Sequence, residues 1–171
     1  VDSTYFSPRL SNERKEIAGK IRKNDKVLVM FAGVAPYSVV IAKNSPAKIV
    51  YSNEINREAN KYGRLNAELN KVKNKIVFLD GDIKRIAKRI KGRFDVIVMP
   101  RPQLKDTFLR EAFMLNKRDT RIFYYDFCGA NEIKDITDKI KKEAGKAKKK
   151  IKILKVKKAG EIAPYRYRIR V

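Results

Sequence analysis

The run Lys26-Val-Leu-Val-Met-Phe-Ala32 constrains this chain more than any other feature. A strand with one wet face alternates polar and apolar residues; an unbroken apolar run belongs to a strand covered on both faces. Four more runs of this kind follow: Lys48 to Glu54, Lys75 to Asp80, Phe94 to Met99 and Arg121 to Asp126. Helical patterns fall before and between them. They are expected at about 11–23, after Gly33 through Ala42, from the Asn56 cap to about Asn70, at 83–90, at about 105–115 and at about 131–146. Pro100 and Pro102 stop the fourth strand. Regular alternation predicts an α/β, Rossmann-like fold. The expected sheet has seven mostly parallel strands with helices on both faces. Its last two strands, near 150–157 and 165–171, form an antiparallel hairpin.

Composition narrows the chemistry. The 171 residues hold no histidine and one cysteine. That excludes Ser-His-Asp and Cys-His catalysis, histidine-bound zinc and any disulfide framework, and no metal is expected. No apolar run reaches the roughly 18 residues of a membrane span, and no signal peptide precedes the first strand, so a cytoplasmic protein is expected. Lysine and arginine total 42 against 19 acids, a net charge of +23. Adaptation to heat adds charges of both signs; a two-to-one excess of cations points to a polyanionic partner.

Parallel sheets bind ligands at the carboxyl ends of their strands. Gly33 follows the first run, in Phe31-Ala-Gly-Val-Ala-Pro-Tyr37, where a glycine lets backbone approach a ligand. Glu54 ends the second run about 20 residues on, as suits an acid binding ribose hydroxyls. Asp80-Gly-Asp82 ends the third, where an acid can accept from an adenine amino group. Glycine followed by acids at successive strand ends is the arrangement of a class I S-adenosylmethionine methyltransferase. Read structurally, the same residues make a tight turn and helix caps.

The segment Tyr5-Phe-Ser-Pro-Arg-Leu-Ser-Asn-Glu-Arg14, with Met30 to Pro36, Glu54-Ile-Asn56 and Ala163-Pro-Tyr165, resembles the archaeal and eukaryotic tRNA guanine N1-methyltransferases acting at anticodon-loop position 37. The resemblance runs from Tyr5 to Val171. It implies S-adenosylmethionine as cofactor, tRNA as partner and a monomer in the cytoplasm. It implies Glu13 as general base, with Arg9 and Tyr5 at the cofactor or target nucleotide. Phe31, Ala32, Gly33, Val34, Glu54, Ile55, Asp82 and Pro100 become cofactor residues. Arg14, Asn56, Arg101, Pro102, Lys148, Lys149, Tyr165 and Arg166 become RNA contacts. The chain departs from the family pattern at Val29, at Ala35, at Arg57 and at Pro100-Arg101-Pro102.

On this reading residues 1–171 are one catalytic domain. Residues 1–24 carry the motif and first helix, and 25–171 the cofactor-binding sheet. The small RNA-recognition domains that precede this region in such enzymes are expected to be absent. Two alternatives stay open. One is aminocarboxypropyl transfer, or carbon methylation, in wybutosine-type modification. The other is an RNA-binding domain of this fold with incomplete catalysis.

Overall fold

The computed structural model describes residues 10–129 and 131–171; Tyr5 and Arg9 lie outside them. In chain order the elements are α1 (Ser11–Ala18), β1 (Lys26–Met30), α2 (Pro36–Asn44), β2 (Ile49–Glu54), α3 (Arg57–Leu69), β3 (Ile76–Asp80), α4 (Ile83–Ile86), β4 (Phe94–Met99), α5 (Leu109–Leu115), β5 (Asn116–Gly129), α6 (Ile133–Lys146), β6 (Lys157–Ala163) and β7 (Arg166–Arg170). One seven-stranded sheet has the order β3-β2-β1-β4-β5-β7-β6. The first five strands pair in parallel, and β7 pairs antiparallel with both β5 and β6.

The unbroken runs earn their burial. Val27 and Val29 of β1 join a core with Ile17, Val39, Ile41 and Val50. Leu28 and Met30, pointing the other way, join Ile97, Leu109, Phe113 and Ile140. Period-two alternation thus feeds two apolar layers, one on each face. From β1 the chain winds to β2 and β3, then returns to β4 on β1's other side. The strand order reverses between β1 and β4, and at such a switch point the carboxyl ends of the strands are where ligands bind. Among the described residues no helix is long and apolar enough to cross a membrane.

Several boundaries differ from those expected. β5 spans Asn116–Gly129, well beyond 121–126. α5 begins at Leu109, after a loop that the two prolines open. α1 ends at Ala18, and α4 is a single turn. The largest shift is β6, expected at 150–157 and found at Lys157–Ala163. Residues 150–156 alternate well enough for a strand. The hairpin register, however, sets Lys157 opposite Arg170 and leaves no β7 residue opposite them.

An ion network ties the hairpin to α1. Arg170 Nη2 bonds Glu16 Oε1 at 2.6 Å, and Lys157 Nζ bonds Glu16 Oε2. Hydrogen bonds from Lys157 and then Arg170 hold the Glu16 carboxyl down at about 2, against 4.5 for a free glutamate. A carboxyl whose folded value is depressed stabilises fully above its unfolded value and loses that contribution as pH falls through the folded one. The urea midpoint should therefore fall as pH drops from about 4.5 toward about 2, and Glu16→Gln should remove that part of the slope.

Candidate functional site

Three strand-end loops are stitched into one cradle. Ala32 N–H donates to the Asn53 carbonyl at 2.9 Å, and Gly81 N–H to the Glu54 carbonyl at 2.8 Å. The buried Asn53 amide donates to the Leu79 and Gly81 carbonyls. Asn60 and Asn66 reach back from α3 to the carbonyls of Glu54 and Val34. Backbone groups that turn away from a ladder must find partners, and these three amides supply them. Gly63 lets α3 come this close: a Cβ there would meet Phe78 at 3.1 Å and Ala35 at 3.2 Å.

The loop after β1 holds Phe31, Gly33 and Ala35 at φ 58°, 56° and 64°. A Cβ at Gly33 would meet nothing within 4 Å, so the backbone borders open space there. Phe31 packs edge-to-face on Phe108 at 4.9 Å. The Glu54 carboxylate accepts from Gly33 N–H through Oε2 and from Asn56 N–H through Oε1, both at 2.8 Å. Each oxygen keeps a second lone pair, and the carboxylate plane is fixed. A fixed carboxylate beside an open glycine loop suits the vicinal hydroxyls of a nucleoside. Ile55, beside it, is exposed. Asn56 caps α3 through the Glu58 and Ala59 N–H groups. Asp82 caps α4 through Oδ1, and its Oδ2 has no hydrogen bond among the described residues.

A second polar cluster lies against the first turn of α2. Glu13 is 6% exposed. Its Oε1 accepts from Tyr125 Oη at 2.7 Å and from Arg170 Nη1. The Tyr125 ring tilts over Tyr37 at 5.9 Å. Burial pushes the Tyr125 hydroxyl far above its ordinary range, with Tyr37 and Glu13 adding, so it remains a donor. The Tyr37 hydroxyl is buried and makes no hydrogen bond among the described residues. The Arg168 guanidinium lies over Tyr125 at 5.1 Å.

Two arginines expected at RNA are inside the protein. Arg101 has no exposed surface. Its Nη1 bonds Asp126 at 2.7 Å, and its Nη2 bonds the Leu104 and Asp106 carbonyls. It therefore folds the loop after β4 onto β5, with Asp126 as its counter-ion. Arg14 is 5% exposed; burial, ahead of the nearby Arg168 charge, pulls its guanidinium below its usual value. Arg170 also departs from expectation: the Tyr165–Arg170 alternation reads as an RNA surface, yet Arg170 is 4% exposed and committed to Glu13 and Glu16.

The remaining RNA candidates are exposed but dispersed. Tyr165 and Arg166 sit at the hairpin turn, beside the Gly129 end of β5. Lys149 lines a groove with Asn116 and Arg121, at the other end of that strand. Lys148 is exposed next to it, and Pro102 is exposed on the β4–α5 loop. Pro100, half-buried, starts that loop directly after β4.

Sheet order, glycine loop and strand-end acid together define an α/β domain for a nucleoside-bearing cofactor. The model of the TRM5/TYW2 methyltransferase domain matches residues 1–154. The chain belongs to that family. It is 32% identical to the Nanoarchaeum equitans tRNA (guanine(37)-N(1))/4-demethylwyosine(37)-methyltransferase Taw22, over all of this chain and 73% of the relative. It is 33% identical to Pyrococcus abyssi Trm5b, a tRNA (guanine(37)-N(1))-methyltransferase, over all of this chain and 50% of the relative. The crystal structure of that Trm5b superposes with a TM-score of 0.86 over 98% of this chain and 49% of its own. A complex of aTrm5 with tRNALeu superposes at 0.79, with 29% identity, 98% of this chain and 46% of its own. The chain thus spans about three quarters of one of these proteins and about half of the others.

Replacing Arg101 by methionine would leave the Asp126 carboxylate buried, with Lys139 at 3.7 Å as its remaining cation. Arg101→Met should cost about 3 kcal/mol in urea unfolding, the low end for a broken buried pair. Adding Asp126→Asn should recover part of the loss.

Proposed function

We propose that this domain transfers a methyl group from S-adenosylmethionine to N1 of guanine 37 in tRNA. The observation that carries the reading is the Glu13 carboxylate, held beside the helix that starts at the nucleoside cradle. The names of the Nanoarchaeum and Pyrococcus relatives, and the aTrm5 complex with tRNALeu, support the substrate. The same reading takes the protein to be a cytoplasmic, archaeal-type monomer.

The residues present fit the cofactor. Gly33 leaves open space, Glu54 keeps lone pairs for ribose hydroxyls, and Asp82 Oδ2 suits an adenine amino group. Phe31, Ala32, Val34, Ile55 and Pro100 are the further proposed cofactor contacts. Bound there, S-adenosylmethionine supplies an electrophilic methyl group on a sulfonium. Guanine N1 carries a proton at neutral pH and is a poor nucleophile. Glu13 takes that proton as general base. Negative charge then moves toward guanine O6, where Arg9 supplies the stabilising cation and Tyr5 contacts the nucleotide. Asn56, Pro102, Lys148, Lys149, Tyr165 and Arg166 remain the proposed RNA contacts.

Unmodified guanine-37 tRNA should accept labelled methyl from S-adenosylmethionine in the presence of this chain joined to any flanking domains. Intact cofactor binding without transfer would overturn the reading. Glu54→Ala should weaken cofactor binding about 10- to 100-fold, the worth of a charge-assisted hydrogen bond. Glu13→Gln should slow transfer about 100-fold and leave cofactor affinity near wild type. Methylation of 4-demethylwyosine is a second reading, supported by the Nanoarchaeum relative, whose name carries both activities. Mass spectrometry of tRNA bearing either base distinguishes the two.

A further inference from the structure

The Glu13 carboxylate is held by one oxygen. Among the described residues it accepts two hydrogen bonds, from Tyr125 Oη and Arg170 Nη1, and both fall on Oε1. Oε2 has Lys157 Nζ at 3.6 Å, outside hydrogen-bond reach. Among the described residues one oxygen is anchored, and the other has no hydrogen bond and keeps its lone pairs for a proton.

The anchors are rigid. Tyr125 is fully buried and Arg170 is 4% exposed. Arg170 forks, one nitrogen to Glu13 and the other to Glu16. A planar guanidinium shared between two carboxylates fixes direction as well as charge, which an ammonium cannot do. Arg170 lies on β7, and β7 is paired to β5 at Tyr125 itself. Both anchors thus come from adjacent strands in fixed register. Arg170 also falls outside residues 1–154, the stretch that the family model matches.

We infer that Arg170 and Tyr125 are positioning residues for the transfer: they bind Oε1 of Glu13 and so reserve Oε2 as the oxygen that takes the proton. The inference rests on Glu13 acting as base. A carboxylate free to rotate would meet the target proton less often, and small misplacements of catalytic groups are costly in rate.

The test uses Tyr125→Phe, Arg170→Lys, Arg170→Ala and Glu13→Gln in the protein that methylates tRNA. It measures single-turnover transfer, KM for tRNA, cofactor affinity and thermal midpoint. Tyr125→Phe and Arg170→Lys should each slow transfer about tenfold, with KM and cofactor affinity within about twofold of wild type. Arg170→Ala should lose more, about 100-fold, so that lysine is a partial rescue. Tyr125→Phe removes one oxygen and keeps the ring, so the test stands even where Arg170→Ala fails to fold. Wild-type transfer in Tyr125→Phe and Arg170→Lys, alongside a slow Glu13→Gln, would overturn the positioning role and leave Glu13 as base. So would rate losses that merely follow losses in thermal midpoint and cofactor affinity. Wild-type transfer in Glu13→Gln would overturn both.

Discussion

A parallel strand covered on both faces can offer chemistry only at its ends. β1 is such a strand, with Val27, Leu28, Val29 and Met30 all fully buried. The winding of the chain then matters as much as the strand. It runs to one side of β1, comes back and runs to the other, so the strand order reverses between β1 and β4, the place where sheets of this kind take ligands at their carboxyl ends. The asparagines of the cradle and Glu54 serve the backbone that must leave the sheet there. Asn53, Asn60 and Asn66 satisfy carbonyls, and Glu54 satisfies two N–H groups. Satisfied loops are rigid loops, and a rigid rim lets Glu54 present lone pairs without first reorganising.

Charge is sorted in the same way. The net charge is +23, yet three of the four buried carboxylates among the described residues take an arginine: Glu13 with Arg170, Asp25 with Arg121, Asp126 with Arg101. A buried carboxylate needs a partner that can satisfy several lone pairs, and the guanidinium fork does so. Those arginines are structural and contribute little surface for a polyanion. The lysines at 148, 149, 150, 152 and 155 are exposed. The surface available to a polyanion is therefore richer in lysine, and poorer in arginine, than the composition suggests.

The parts of this fold legible in the sequence are those set by neighbours in sequence. Unbroken apolar runs mark β1 to β4, and Gly33, Glu54 and the Asn56 cap follow from local rules at strand and helix ends. The parts not legible depend on register or on distant partners. Residues 150–156 carry a strand's alternation, and only the pairing of Lys157 with Arg170 excludes them from β6. Arg101 reads as a surface cation until Asp126, 25 residues on, is seen beneath it. Arg170 reads as one cation in an alternating strand, although its carboxylate lies 157 residues away. The three asparagine amides had a faint signal: polar side chains at a strand end and on the inner face of α3 need a reason to be there.

The hairpin shows why such distant pairs accumulate near a site. β5 reaches past β4 to Gly129, and antiparallel β7 pairs with that extension. Side chains stand out of the sheet on its two faces, and Tyr125 and Arg170 reach α1 from neighbouring strands. Tyr125 from β5 and Arg170 from β7 then converge on the first turn of α1, where Glu13 stands. The first helix is joined to the last strand through a carboxylate that the backbone does not need. Helix ends recruit acids to satisfy N–H groups, but Glu13 spends its oxygen on side chains instead, and Leu10, the N-cap of α1, makes no side-chain cap. A side chain held so firmly, in a helix whose end it does not cap, is organised for something other than the helix.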